Sequence, residues 1–241
     1  VALPADSHTS QMRSPLRRLT LGSALAGLIA GIAWLMMQTA AIADTDGVAV
    51  TLHAVPTVAL HTQFGHWLLL RLVLLIAVLP LVWRVRSTIP IVLAGAALAV
   101  QPLLGHAGAI GGGAGAQLIG LEALHLLAAG AWLGGLLPLF LAVGRLPHEA
   151  AAAACLGFTA IGLASVLLLA GTAVVLTATL MGGLSGLLGT GYGHVALVKL
   201  GVFVVFGSLL TVGGLTAEGW AAVAVVLVAI TVGFGRIFYH A

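Results

Sequence analysis

The chain has 241 residues, of which 61% are hydrophobic and 6% charged, and its mean hydropathy is +1.20. A soluble domain, with about a quarter of its residues charged, is excluded. The formal net charge of +3 reports membrane orientation and is no nucleic-acid signal. The single cysteine, Cys155, rules out an internal disulfide or a cysteine-based cluster.

Residues 1–16 read as a polar peripheral segment, followed by Arg17-Arg18 and the first apolar run. The ending Ala41-Ile42-Ala43 imitates a signal-peptide cleavage site, but the apolar stretch is too long for one and is expected to remain as a helix. Seven spans can be drawn, at 17–42, 64–84, 88–106, 117–143, 151–178, 192–213 and 219–239, each near the roughly 20 residues that cross a bilayer as helix. Continuous apolar runs without strict alternation favour helices over a β-barrel. The expected fold is therefore all-α, a polytopic transmembrane helix bundle over 17–241.

Residues 44–63, holding Asp44, Asp46, His53, Pro56 and His61, are expected to form the longest outer loop. Arg13, Arg17 and Arg18 precede the first span, Arg84 and Arg86 follow the second, and Arg145 follows the fourth. The opposite loops lack Lys and Arg, which predicts a cytoplasmic N-terminus. Small residues such as Gly27 with Gly31 and Gly130 with Gly134 are expected at helix contacts. Gly111–Gly115 reads as a flexible turn, because the Lys and Ser/Thr of a nucleotide loop are missing.

Seven of the nine histidines, His53, His61, His66, His106, His125, His194 and His240, fall on one predicted side of the membrane. Imidazoles gathered at a membrane edge point to a metal or haem site. Arg71, His125 and Lys199 count to a similar depth on three predicted helices and are expected to form a polar layer, because pointing them at lipid is costly. Glu122, His125 and Trp132 share one helical face, as do Tyr192 with Lys199 and Phe64 with Arg71. Glu122 would act as a co-ligand, as an acceptor that orients the ring, or as the partner of Arg71 or Lys199. Neutral imidazole serves copper, zinc or haem iron, while Met36, Met37 and Met181 carry the thioether that favours Cu(I).

Four segments, in order, resemble the copper resistance protein D family of inner-membrane proteins. They are Thr62-Gln63-Phe64-Gly65 with Arg71; Gly105-His106-Ala107; Leu124-His125-Leu126-Leu127 leading to Trp132-Leu133-Gly134-Gly135-Leu136; and Tyr192-Gly193 leading to Lys199. The resemblance covers about residues 60–200. Leu104 stands where the family shows Ser, and Thr211-Val212-Gly213-Gly214 replaces an expected Asn-Arg. The resemblance implies copper as the cargo, a bacterial inner-membrane location, and a periplasmic copper-binding partner of the copper resistance protein C type.

On this reading His53, His61, His66, His106 and His194 would collect copper at the periplasmic face, and His125 with Glu122 would pass it inward. Arg71, Tyr192 and Lys199 form the polar layer, and Trp132, Gly134 and Gly135 pack beside it. One alternative is a haem b electron-transfer subunit ligated by His66, His106 or His125, with Arg71 or Lys199 meeting the propionates. Another is a structural or assembly subunit of a larger membrane complex. No Ser/His/Asp spacing, nucleotide loop or paired carboxylates occur, so no enzymatic activity is expected.

Overall fold

Nearly continuous apolar sequence leaves helix as the backbone form that satisfies its own polar groups without water. The computed structural model describes residues 5–44, 47–83, 88–181, 184–191, 193–198, 200 and 201. Among them every regular element is helical: α1 (Ala5–Ala43), α2 (Val48–His61), α3 (Gln63–Leu81), α4 (Ile89–Ala99), a 3-10 turn (Gln101–Leu104), α5 (His106–Ala109), α6 (Gly112–Arg145), α7 (His148–Met181) and α8 (Leu184–Gly189).

Four helices are long and apolar enough to cross a membrane: Met12–Ala43, Gln63–Leu81, Gly112–Arg145 and His148–Leu180. They coincide with the expected spans 17–42, 64–84, 117–143 and 151–178. The expected span 88–106 is instead broken into α4, the 3-10 turn and the start of α5, because Pro102 cannot continue the α-helical hydrogen bonding. The expected span 219–239 lies outside the described residues, as does most of 192–213.

The stretch expected as a long outer loop is largely helical, since α2 occupies Val48–His61 with Pro56 inside it. At 14 residues it is about 21 Å long, too short for a hydrocarbon core of roughly 30 Å. Its N-cap, Gly47, has φ 118°, a conformation open to glycine and costly for other residues. Thr51 then donates its hydroxyl back to the Gly47 carbonyl at 3.0 Å. The glycine-rich turn is likewise shorter than expected: α6 begins at Gly112, at φ 74°, and takes in Gly113 and Gly115.

The chain divides into two compact units, residues 1–173 and 174–241. In the first, α3 packs against α1, α2, α4 and the 3-10 turn. Leu35, Ala59, Leu68, Leu72 and Leu104 form the core there, edged by Trp34 and Phe64, whose rings meet edge-on with centroids 5.5 Å apart. Gly27 and Gly31 of α1 are indeed contact points, since added Cβ atoms would lie 3.3 Å from Leu75 Cδ1 and 2.7 Å from Leu72 Cδ2. A Cβ added at Gly130 would lie 2.6 Å from Leu98 Cδ1 of α4, whereas one at Gly134 would meet open space and Gly135 lies under the Phe158 ring of α7. In the second unit, α8 is followed by Thr190 and by helical residues 193–198.

The outer surface is apolar: Ile29, Met37, Ile91 and Leu156 are 69–76% exposed. Surface of this kind belongs against acyl chains and not against water. At one end of the first unit, the Arg17 guanidinium lies 3.2 Å from the centroid of the Trp83 ring. This contact places Arg17, in the N-terminal third of α1, beside the end of α3, so Thr62–His66, at the start of α3, lies about 28 Å away along that helix. Arg17→Ala is expected to lower stability by about 0.5–1 kcal/mol, read from thermal unfolding in detergent, while Trp83→Phe should retain part of the contact.

Candidate functional site

Two histidines in the first unit have a ring nitrogen hydrogen-bonded within the protein. Between α2 and α3 the chain turns at Thr62, which leaves helical geometry at φ −117°, ψ 151°. Its hydroxyl donates to Val58 O at 2.6 Å and accepts from Gly65 N–H at 2.9 Å. One side chain thus satisfies a carbonyl at the end of α2 and an amide at the start of α3. The His66 amide donates to Thr62 O, and His66 Nε2 stands 2.7 Å from Leu60 O. A carbonyl only accepts, so Nε2 carries the proton and Nδ1 bears the lone pair. Thr62→Val is expected to cost about 1 kcal/mol by loss of the cap, with Thr62→Ser close to wild type, measured as the unfolding midpoint.

His125 sits thirteen residues into α6, about 20 Å along its axis. Its Nδ1 lies 2.8 Å from Thr172 Oγ1 on α7. The Thr172 hydroxyl also lies 2.6 Å from Leu168 O and 3.2 Å from Leu169 O; with its hydrogen directed to these carbonyls, His125 donates from Nδ1, and the lone pair of the neutral ring is on Nε2. The tautomer is opposite to that of His66. Thr172 is buried; this partner was not found from the sequence, where only its polarity within an apolar helix marks it. On the same helix Glu122 is half-buried and Trp132 is buried, and both make interactions within the protein.

Arg71 is half-buried, eight residues into α3, about 12 Å along it. Its Nε is buried without a hydrogen-bond partner among the described residues, as are Thr39 Oγ1 on α1 and Gln101 Oε1 in the 3-10 turn. These atoms sit on elements that flank the core around Leu68 and Leu72. Thr39 and Gln101 were also not anticipated. Buried polar atoms of this kind are costly and need a reason.

The remaining candidates are dispersed. His53 and His61 are exposed on α2, with His61 and His66 on either side of the Thr62 turn. His106 opens α5; its side chain, and Tyr192, Lys199 and His240, lie outside what is described. His194, in the second unit, is exposed, and its Nε2 stands 3.0 Å from Leu188 O. Among the described residues, no three His, Cys, Asp or Glu side chains converge as a metal cage.

No curated protein and no solved structure is significantly similar to the chain. A family model does match, the copper resistance protein D-like N-terminal domain, over residues 1–116. The matched range includes Thr62–Gly65, Arg71 and Gly105-His106-Ala107, while Leu124–Leu136 and Tyr192–Lys199 lie beyond it. This match makes residues 1–116 similar to the N-terminal domain of the copper resistance protein D family, and the apolar helices of spanning length mark a multi-pass membrane protein.

Proposed function

We propose that the protein moves copper, taking the ion at the periplasmic face and passing it into or across the bacterial inner membrane. The observation that carries this reading is His125: an imidazole within a spanning helix, hydrogen-bonded through Nδ1 to the buried Thr172 of the neighbouring helix. A metal-binding histidine characteristically spends its other ring nitrogen on such an acceptor. His53, His61, His66, His106 and His194 would collect the ion, and Glu122 would assist His125. Dispersed single ligands suit transfer, because a tight cage would retain its ion.

Arg17, Arg18 and Arg145 support a cytoplasmic N-terminus, and with that orientation the Thr62–His66 turn would face the periplasm. Seven spans, a family core over about 60–200, and delivery by a copper-binding protein of the copper resistance protein C type complete the proposal, which assigns no enzymatic step. Elemental analysis and an optical spectrum of the purified protein test it together. Bound copper with no Soret absorption is expected; a Soret band with split α/β bands after reduction would replace this reading with haem b, and absence of copper would remove it.

A further inference from the structure

Residues 60–72 and 188–200 align without a gap, as Leu-His-Thr-Gln-Phe-Gly-His-Trp-Leu-Leu-Leu-Arg-Leu against Leu-Gly-Thr-Gly-Tyr-Gly-His-Val-Ala-Leu-Val-Lys-Leu. Leucine, threonine, glycine and histidine recur at the same places, an aromatic residue answers an aromatic one at Phe64 and Tyr192, and a cation answers a cation at Arg71 and Lys199. One segment lies in each compact unit. Such spacing alone would be weak, because leucine-rich sequence aligns easily with itself.

The hydrogen bonds repeat as well. Thr62 Oγ1 donates to Val58 O at 2.6 Å and Thr190 Oγ1 to Gly186 O at 2.7 Å. Gly65 N–H donates to Thr62 Oγ1 at 2.9 Å, and Gly193 N–H to Thr190 Oγ1 at 3.0 Å. The amides of His66 and His194 donate to Thr62 O and Thr190 O at 3.1 and 3.0 Å. Finally, each ring reaches back six residues, His66 Nε2 to Leu60 O at 2.7 Å and His194 Nε2 to Leu188 O at 3.0 Å. Four matching bonds on matching residues make these segments two copies of one device.

The device has a definite chemical output. Its threonine closes one helix and opens the next, which fixes the histidine backbone. The leucine carbonyl then accepts a hydrogen bond from Nε2–H, so the neutral ring is held in one tautomer with the Nδ1 lone pair presented from an exposed residue. A backbone carbonyl on the far nitrogen raises the basicity of the ligating one. In the first copy Arg71 follows His66 by five residues, about 140° around the helix, so it points away from the ring and does not oppose a cation held there.

We propose that His66 and His194 are two equivalent copper-accepting ligands, each binding one Cu(I) through Nδ1 in its own copy of this motif. The proposal rests on the copper reading and deepens it: intake has two like entry points, one per unit, instead of one composite site. The test is nitrogen NMR of the full chain labelled at histidine, in detergent, titrated anaerobically with Cu(I). His66→Gln and His194→Gln assign the signals, because the glutamine amide can still donate to the carbonyl and preserve the turn.

Both rings are expected to show Nε2–H and bare Nδ1 before metal, and both Nδ1 signals are expected to shift over the same range of copper concentration. Each single variant should remove one of the two responding signals, and the double variant both. A response from one ring only, or through Nε2, overturns the equivalence. Copper bound by the chain with neither ring responding overturns this inference and leaves the functional reading intact, whereas no copper on the wild-type chain by elemental analysis overturns both.

Discussion

Replacing His125 by alanine is expected to cut copper uptake into proteoliposomes at least tenfold, and Thr172→Val should come close to it, since loss of an orienting partner typically costs about 10- to 100-fold in metal affinity. Thr172 Oγ1 lies 2.8 Å from His125 Nδ1 and accepts its hydrogen bond when the hydroxyl hydrogen is directed to Leu168 O or Leu169 O. Valine keeps the shape and removes the acceptor, leaving the ring free to turn and to exchange tautomers. Thr172→Ser restores the oxygen and should restore uptake. Thr172→Val removes the bond between α6 and α7 together with side-chain bonds to its own helix, so thermal unfolding of the variant in detergent is measured beside uptake. Uptake by Thr172→Val equal to wild type would show that the ring's orientation is irrelevant to transport.

The largest effect on stability is expected at Gly65. A Cβ there would run into Val58 O and Ala59 O and stand 2.6 Å from the Ala59 carbonyl carbon. All three are backbone atoms of α2 and cannot rotate aside, so Gly65→Ala must open the turn between α2 and α3, at a cost of about 3 kcal/mol. Gly31→Ala offers the contrast: its Cβ would meet Leu72 Cδ2 at 2.7 Å, the movable end of a side chain, and the cost should stay below about 1 kcal/mol. Gly134→Ala meets nothing and should be neutral or stabilising by up to about 1 kcal/mol through helix propensity. Thermal unfolding in one detergent ranks the three. A Gly65→Ala protein that melts with the wild type would mean that α2 and α3 do not approach this closely.

The His125 and Gly65 effects also mark how far sequence reading reached. Hydropathy located the four long helices because a lipid-solvated backbone has no stable alternative to helix. It missed α2 because Asp44, Asp46, His53, Pro56 and His61 interrupt the apolar pattern, although the 14-residue helix beside α3 takes in His53, Pro56 and His61. It overextended the third span because Pro102 carries little weight in an average over an apolar window, yet a single missing N–H changes the helix type.

Within the site, composition was enough to single out His66, His125 and Arg71, since polar groups in so apolar a chain are few and expensive. Which nitrogen of each ring is protonated was not legible. That choice depends on Leu60 O for His66 and on Thr172, 47 residues away along the chain, for His125. Helical class, spanning lengths and the identity of the polar residues thus follow from local solvation, which each segment settles with the lipid alone. The close passage at Gly65, the His125–Thr172 pair and the opposite tautomers of His66 and His125 were decided by tertiary structure, because hydrogen bonds and backbone clearances exist only once separate segments meet.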